Sequence, residues 1–356
     1  MKKILKTLAL TLLYIPFIAG CKAPVFYEIM RDVAPEEATV NGVITSITRY
    51  KSGTEEKLVT FSSDGLIWKD ANGTAHGQWS CFPNSNQLSG KIIKTAADSS
   101  NLYVVTITFH EDVEEGSNKP DAATLWCYNN GKWDEVKTPK LNPGNFNIFC
   151  TNDVDNNNRS AYLRIGDKVY ELNGTNFPAS EKTTGNYNSV VSDGNSDYIF
   201  FESTASVKNE NYIYWGEGSK LYYSENTSNP KAEENKKLAL DAGTDISCLA
   251  VTSNSILIGR GDFSNSLISK GGIAKTSLTN GVPGTSLESF STNATSQLAS
   301  VYQIYTLLVA DPTQKELEAS IYASMGFKGS GSSTSVSYDN IGLWSYYPAR
   351  GNWNRE

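Results

Sequence analysis

Histidine is almost missing: His76 and His110 are the only two in 356 residues. Both stand beside a turn or an insertion, and they read as solvated loop residues, not as an acid/base pair. No HExxH, phosphate-binding P-loop or G-x-S-x-G elbow is present, so the sequence offers no zinc-peptidase, nucleotide-hydrolysing or serine-hydrolase signature. Helix patterning is nearly absent as well; only Thr313 to Glu318 has the composition for a turn or two. Beyond residue 18 no stretch approaches 18 apolar residues, which leaves no candidate membrane-spanning helix there. Positive charge is in deficit, with 31 Lys and Arg against 38 Asp and Glu. That balance argues against nucleic acid or anionic lipid as the principal partner.

Aromatic hairpins are present in quantity. Gly65-Leu66-Ile67-Trp68 runs through a polar turn to Gly77-Gln78-Trp79. Leu125-Trp126-Cys127-Tyr128 turns at Asn129-Asn130-Gly131 into Lys132-Trp133, and Gly342-Leu343-Trp344-Ser345-Tyr346 turns through Gly351 into Asn352-Trp353. Alternating aromatics around Gly/Asn turns are the hairpin signal. Fainter copies centre on Tyr170, which turns at Asn173-Gly174, on Tyr222, and on Ala274, which turns at Asn280-Gly281. The six markers Trp68, Trp126, Tyr170, Tyr222, Ala274 and Trp344 are separated by 58, 44, 52, 52 and 70 residues. A period near fifty residues built from strands indicates propeller blades. The reading is therefore an all-β chain, a β-propeller of six four-stranded antiparallel blades over residues 40–356. A seventh blade stays open, because blade four holds one strand candidate too many and the last interval is long.

Residues 1–20 form a targeting segment: Lys2, Lys3 and Lys6 are followed by an apolar run from Leu8 to Ile18. The segment ends in Ile18-Ala19-Gly20-Cys21, which resembles the bacterial lipobox. The resemblance implies cleavage before Cys21, lipid on that cysteine (palmitate among the acyl chains) and anchorage in the cell envelope, facing the periplasm or the exterior. Removing the three lysines takes the net charge from −7 to −10. Residues 21–39 then read as the lipidated cysteine and a tether, with Val25 to Ile29 able to supply one strand.

The strands can be placed blade by blade. Blade one begins with an inner strand at Val43 to Ile47 and continues with Leu58 to Ser62. Blade two uses Lys91 to Ala96 and Leu102 to Ile107; blade three uses Phe146 to Cys150, Ala161 to Ile165 and Lys168 to Leu172. Blade four offers Ser189 to Val191, Tyr198 to Phe201 and Tyr212 to Trp215. Blade five offers Ile246 to Val251 and Ser255 to Gly259, and blade six Val301 to Val309 and Ser320 to Met325. The final blade closes with its own outer strand near Trp353.

Four motifs point to chemistry, each with a plainer reading beside it. Ser62-Ser63-Asp64-Gly65-Leu66-Ile67-Trp68 is similar to the Asp-box of sialidase-type propellers, one residue short and without the threonine. Such a box is a structural turn; a sialidase would also need three converging arginines, and nothing marks three of the seven beyond residue 20 as that cluster. Asn152-Asp153-Val154-Asp155 starts like a calcium loop but lacks the glycine at position six, so an inter-strand turn is preferred and no cofactor is assigned. Arg260-Gly261-Asp262 matches an adhesion tripeptide short enough to recur by chance. Cys81, Cys127, Cys150 and Cys248 form no zinc pattern. They read as mostly buried thiols, with Cys127–Cys150 the exception to consider as a pair.

Two function classes remain. The chain resembles bacterial propeller lipoproteins, some of which serve as scaffolds in outer-membrane protein assembly; this implies a non-catalytic module that meets a protein partner through its blade loops. Candidate contact residues are Glu111, Asp112, Glu114 and Glu115 in an acidic insertion, and Lys328, Ser330 and Tyr338 in a Gly/Ser-rich loop. The alternative is a carbohydrate-binding or glycan-cleaving propeller with Trp and Tyr stacking on sugars. The hairpin residues Trp68, Trp79, Trp126, Trp133, Tyr170, Tyr222, Trp344 and Trp353 are assigned to the blade core instead. Carboxylates clustered at the channel mouth would favour the sugar class, and a channel lined by small and apolar residues the scaffold class.

Overall fold

The computed structural model describes residues 40–42, 44–63, 65–73, 76–109, 120–142, 146–150, 159–166, 168–180, 200–201, 212–225, 234–261, 271–290, 302–326 and 341–356. Its strands fall into six consecutive antiparallel sheets. Blade one contains β1 (Thr48–Ser52), β2 (Glu55–Ser62), β3 (Gly65–Asp70) and β4 (Ser80–Cys81). Blade two contains β5 (Lys91–Ala97), β6 (Leu102–Phe109), β7 (Pro120–Asn129) and β8 (Lys132–Glu135). Blade three has three described strands, β9 (Phe146–Cys150), β10 (Ala161–Ile165) and β11 (Lys168–Glu171). Blade four has β12 (Phe200–Phe201), β13 (Tyr212–Glu217), β14 (Lys220–Glu225) and β15 (Lys237–Asp241). In blade five, β16 (Ile246–Val251), β17 (Ser255–Arg260) and β18 (Gly272–Thr279) are followed by β19 (Val282–Pro283) and β20 (Glu288–Ser289), which share the outer edge of β18. Blade six has β21 (Gln303–Val309), β22 (Ile321–Gly326), β23 (Gly342–Tyr347) and β24 (Asn352–Arg355).

Every one of the six aromatic or small-residue markers lies on the third strand of its blade: Trp68 on β3, Trp126 on β7, Tyr170 on β11, Tyr222 on β14, Ala274 on β18 and Trp344 on β23. The turns behave as their residues dictate. Asn129 pairs with Lys132 across Asn130-Gly131, whose φ angles of 51° and 86° give the left-handed two-residue turn that suits strand twist. The only helical element among the described residues is one 3-10 turn, Ser85–Gln87. No described helix is long and apolar enough to cross a membrane. Thr313 to Glu318 forms turns closed by Ala319 N donating to Lys315 O.

Alternation along each strand explains why the sheets stack face to face in a ring. On β6, Leu102 and Val104 pack towards blade one, while Tyr103 and Val105 pack towards blade three. On β17, Ile256 and Ile258 face blade four, and Leu257 faces blade six. A strand apolar on both faces must be buried on both. Six hydrophobic clusters result, each joining two neighbouring blades, and the last joins blade six back to blade one through Ile44, Ile47, Leu58, Tyr322, Leu343 and Tyr347. The molecule is a closed six-bladed propeller.

The first inner strand is displaced from its expected position. Residues 44–47 form no ladder with β2; β1 begins at Thr48. The reason is lateral bonding: Thr45 Oγ1 donates to Ile93 O at 2.9 Å, Ser46 Oγ bonds Thr95 Oγ1 at 2.9 Å, and Ile44 N donates to Ser324 Oγ at 2.9 Å. These residues stitch blade one to blades two and six. In blade four, Phe200–Phe201 supplies the first described strand, so Tyr198 to Phe201 and Tyr212 to Trp215 are successive strands. Ser189 to Val191, the tether strand Val25 to Ile29 and Cys21 lie outside the described residues.

Blade six meets blade one around a buried carboxylate. Glu356 has no exposed surface, and Lys69 Nζ sits 3.0 Å from its Oε2. Trp79 Nε1 donates to Oε2 at 2.7 Å and Gly77 N at 3.2 Å; Ser345 Oγ and Tyr347 OH donate to Oε1. His76 Nδ1 lies 3.4 Å from Oε1. His76 is thus no solvated loop residue: it is 3% exposed, with Nδ1 2.8 Å from Ser345 Oγ and Asn354 Nδ2 on the other ring nitrogen. His110 lies outside the described residues. Burial by itself would raise the Glu356 pKa, yet the hydrogen bond from His76, the charge of Lys69 and the Ser345 bond hold it below the usual carboxylate value.

A carboxyl whose folded pKa is depressed stabilises the fold above its unfolded pKa, and that contribution is lost as pH falls through the folded value. Glu356→Ala leaves a buried lysine without its counter-charge and is expected to cost about 3–5 kcal/mol at pH 7. Urea unfolding from pH 7 down to pH 3 should show the wild-type advantage shrinking below about pH 4.5. A gap that is constant over this range would mean Glu356 contributes packing and no charge.

Candidate functional site

The axis of the ring is the place to look for chemistry, because the innermost strands of the blades converge there. It holds a cavity of about 120 Å³ whose walls come from residues 45–48, 94–95, 147–150, 248 and 305–308. Blades one, two, three, five and six thus each contribute. Its hydroxyls point at neighbouring blades. Thr48 Oγ1 bonds Thr95 Oγ1 at 2.9 Å and donates to Thr95 O at 3.1 Å, while Ser46 Oγ accepts from Thr95 N at 2.8 Å. Lys94 Nζ bonds Asn147 Oδ1, tying blade two to blade three. The rest of the wall is Ile47, Ile148, Phe149, Tyr305, Thr306, Leu307, Leu308 and the thiols of Cys150 and Cys248. Among these described residues there is no carboxylate.

At the rim where the inner strands end, two arginines come together. Arg159, just before β10, donates from Nη1 to Arg49 O at 2.7 Å and from Nη2 to Glu56 Oε1 at 2.6 Å. Arg49 Nε stands 4.0 Å from the same carboxylate oxygen, and Arg49 Nη1 reaches Ala310 O at 3.5 Å. Both arginines are 4% exposed. Burial first, then the positive charge of Arg159, lowers the Arg49 pKa to about 10. The group links blades one, three and six as a buried ionic network. Sequence reading missed it, since the three residues are separated by up to 110 positions and carry no common motif. Arg260 is elsewhere and donates from Nη2 to Gly271 O at 2.8 Å, so the adhesion tripeptide begins with an arginine engaged within its own blade.

The Glu356 cluster contains Ser345, His76 and a carboxylate, the residue types of a hydrolytic triad. Its geometry is different. Serine and carboxylate both approach Nδ1 of His76, whereas nucleophilic catalysis needs them on opposite ring nitrogens. Ser345 is completely buried, out of reach of a substrate. This cluster closes the ring, and its arrangement is not that of an acyl-transfer triad.

The hairpin aromatics pack between blades. Phe82 lies at the centre of the blade one–two contact, with ring centroids 4.9 Å from Trp68, 4.8 Å from Tyr128 and 5.7 Å from Trp133. Trp353 packs against Tyr346 and Phe290, Trp344 is 7% exposed in the blade five–six core, and Tyr222 stacks on Trp215. Tyr170 packs on Phe177, and Trp79 lies beside Lys69. Trp126 is half-buried in the blade one–two contact and donates from Nε1 to Thr106 Oγ1 at 2.9 Å, while Leu125 and Cys127 on the opposite face pack on blade three. Cys127, Cys150 and Cys248 are unpaired, as is exposed Cys81; Cys127 and Cys150 share one cluster without a bond. Burial pushes the Cys127 and Cys248 thiols up to about 12.

The candidate loop residues Glu111, Asp112, Glu114, Glu115, Lys328, Ser330 and Tyr338 lie outside the described residues, as do Asp64 and the calcium-like segment 152–158. Strands β2, β6, β17 and β22 all run to the same rim, the one from which the inner strands start. The acidic and Gly/Ser-rich intervals therefore both depart from that rim. No group of His, Cys, Asp and Glu among the described residues is arranged to hold a metal ion.

No family model and no curated sequence matches the chain. Solved structures with a similar course of the backbone include a glucose dehydrogenase, at 10% identity over 82% of this chain and 96% of that one, with a TM-score of 0.45. A puromycin hydrolase matches at 10% identity over 75% of this chain and 39% of its own length, TM-score 0.39. A GH43 protein, BlXynB from Bacillus licheniformis, matches at 11% identity over 75% of this chain and 63% of its own, TM-score 0.35. The chain thus spans less than two thirds of the last two.

Two measurements check this placement of residues. Trp126→Ala should destabilise the ring by about 2–3 kcal/mol, at the low end for a tryptophan because the side chain is half-buried. An unchanged melting temperature would mean that Trp126 serves an exposed function. Alkylation of the native protein at pH 8 should label Cys81 well ahead of Cys127 and Cys248 by mass spectrometry; equal labelling would contradict their burial.

Proposed function

We propose that the protein is a lipid-anchored, extracytoplasmic propeller that works without catalysis, as a protein-interaction or scaffold module of the bacterial cell envelope. One observation supports this above the others: the axial cavity is small, its Thr45, Ser46, Thr48 and Thr95 hydroxyls bond between blades, and no carboxylate stands among its described lining residues. A glycan-cleaving propeller places paired carboxylates at a site large enough for a sugar ring. The arginines near the axis bond to Glu56 and to backbone carbonyls, which gives them a structural part.

Ile18-Ala19-Gly20-Cys21 after a basic and apolar leader supports the anchor, with the lipid on Cys21 as the membrane attachment. Multiple acyl chains at one cysteine hold a protein stably on a membrane where a single chain does not. The net negative charge favours a protein partner over nucleic acid. The rim that launches the acidic and Gly/Ser-rich intervals is the face we assign to that partner.

Cys21→Ser should move the protein from the detergent-rich to the aqueous phase on phase partitioning, and unchanged partitioning would defeat the anchor. For the module itself, the lipidated protein is cross-linked in its own membranes and purified. A stoichiometric protein partner, with no signal on a glycan array, is the expected result. Glycan binding without a protein partner would establish the carbohydrate reading instead.

A further inference from the structure

A second cavity, larger than the axial one, is away from the axis. It lies between blades one and two at the rim where the inner strands begin, and measures about 460 Å³. That is the scale of a small-molecule site, several times what the axial cavity offers. Its floor is apolar: Ile44 and Phe61 from blade one, Leu88 from the connection, Ile92 from blade two. Ile44, Phe61 and Ile92 are 1%, 8% and 9% exposed, so the floor is deep. The rest of the lining is polar, with Asn41, Ser62, Ser63, Ser85 and the exposed cation Lys91.

The walls are fixed in place. Asn84, in a left-handed conformation at φ 57°, starts the 3-10 turn Ser85–Gln87, and its Nδ2 donates to Gly131 O of blade two at 2.8 Å. Gly90 has φ 89°, and a Cβ there would stand 2.7 Å from Ile107 O, so this wall presses on blade two. Gly42 and Gly65, at φ 84° and 112°, border the opening; a Cβ built on either meets nothing within 4 Å.

We infer that this cleft binds a small amphiphilic anion: an apolar body of one or two rings on the floor, and a carboxylate at the mouth facing Lys91. The apolar floor of Ile44, Phe61, Leu88 and Ile92 suits a ring or branched-alkyl body, and a wholly apolar ligand would leave Lys91 and the polar lining unused. The inference is independent of the protein-partner reading, since either can fail alone.

The test titrates the full chain calorimetrically with a panel of aryl and branched-alkyl carboxylates, including indole-3-acetate, and with the neutral indole-3-ethanol. An aryl carboxylate is expected to bind with a Kd on the order of 0.1–1 mM, as suits so small a ligand. Lys91→Gln, at an exposed position, should weaken it about three- to five-fold, to the level of the neutral alcohol. Ser85→Trp, which fills the cleft from its mouth, should abolish binding with the melting temperature kept. Absence of binding by the whole panel overturns the inference. So does binding that is the same in wild type, Lys91→Gln and Ser85→Trp, because the ligand would then be sitting elsewhere.

Discussion

A ring of sheets has one junction that chain continuity does not make, and here that junction is built on a charged hydrogen-bonded centre. Five blade contacts join sheets that follow each other in sequence, so the chain itself holds their partners close. The sixth must bring residues 40–82 against residues 302–356. Removing a carboxylate and an ammonium from water costs several kcal/mol each, repaid only with good geometry and full hydrogen bonding. Glu356 has that: Lys69, Trp79, Gly77, Ser345 and Tyr347 surround its two oxygens, and His76 stands beside them. Three rings, Trp79, Tyr322 and Tyr347, lie within 6 Å of the Lys69 ammonium. An apolar contact could close a ring at several neighbouring registers; this one satisfies its charges at one register only.

The same logic runs round the rest of the molecule at lower intensity. Inner strands of adjacent blades splay apart and share no main-chain ladder, so side chains span the gap. Ser46, Thr48 and Thr95 do this between blades one and two, Lys94 and Asn147 between two and three, and Ser247 with Ile304 O between five and six. Tyr103 takes part twice, donating to Asp98 within blade two and accepting from Gly174 N of blade three. A polar axis therefore arises from the demands of the fold, and polarity there is no evidence of a substrate.

Much of this architecture was legible in the sequence because it is local. Alternating aromatics and Asn-Gly turns fix hairpins within a dozen residues, and each repeat marker fell on the third strand of its blade. Strands such as Phe146–Cys150, Ala161–Ile165 and Ile246–Val251 could be bounded to the residue, since apolar runs between polar turns leave little freedom. Long-range bonds were illegible. Val43 to Ile47 has strand propensity, but Ile44, Thr45 and Ser46 bond sideways to blades two and six, and the ladder begins only at Thr48, past the end of the expected strand. His76 stands beside glycine like a solvated turn residue, and only the arrival of Ser345 and Glu356 from the other end of the chain buries it. Arg49, Glu56 and Arg159 meet for the same reason. The cleft of Phe61 and Lys91 is formed by three separate segments that share no motif.

Native-state hydrogen exchange on the wild type and on Glu356→Gln tests most directly whether the ring depends on this one junction. Glutamine keeps the size of the side chain and removes its charge. The account predicts that amides of β3, β23 and β24, which flank the carboxylate, lose protection first and by the largest factor, while β9, β10 and β13 on the far side of the ring stay close to wild type. A uniform loss of protection in all six blades, or none near β23 and β24, would contradict it.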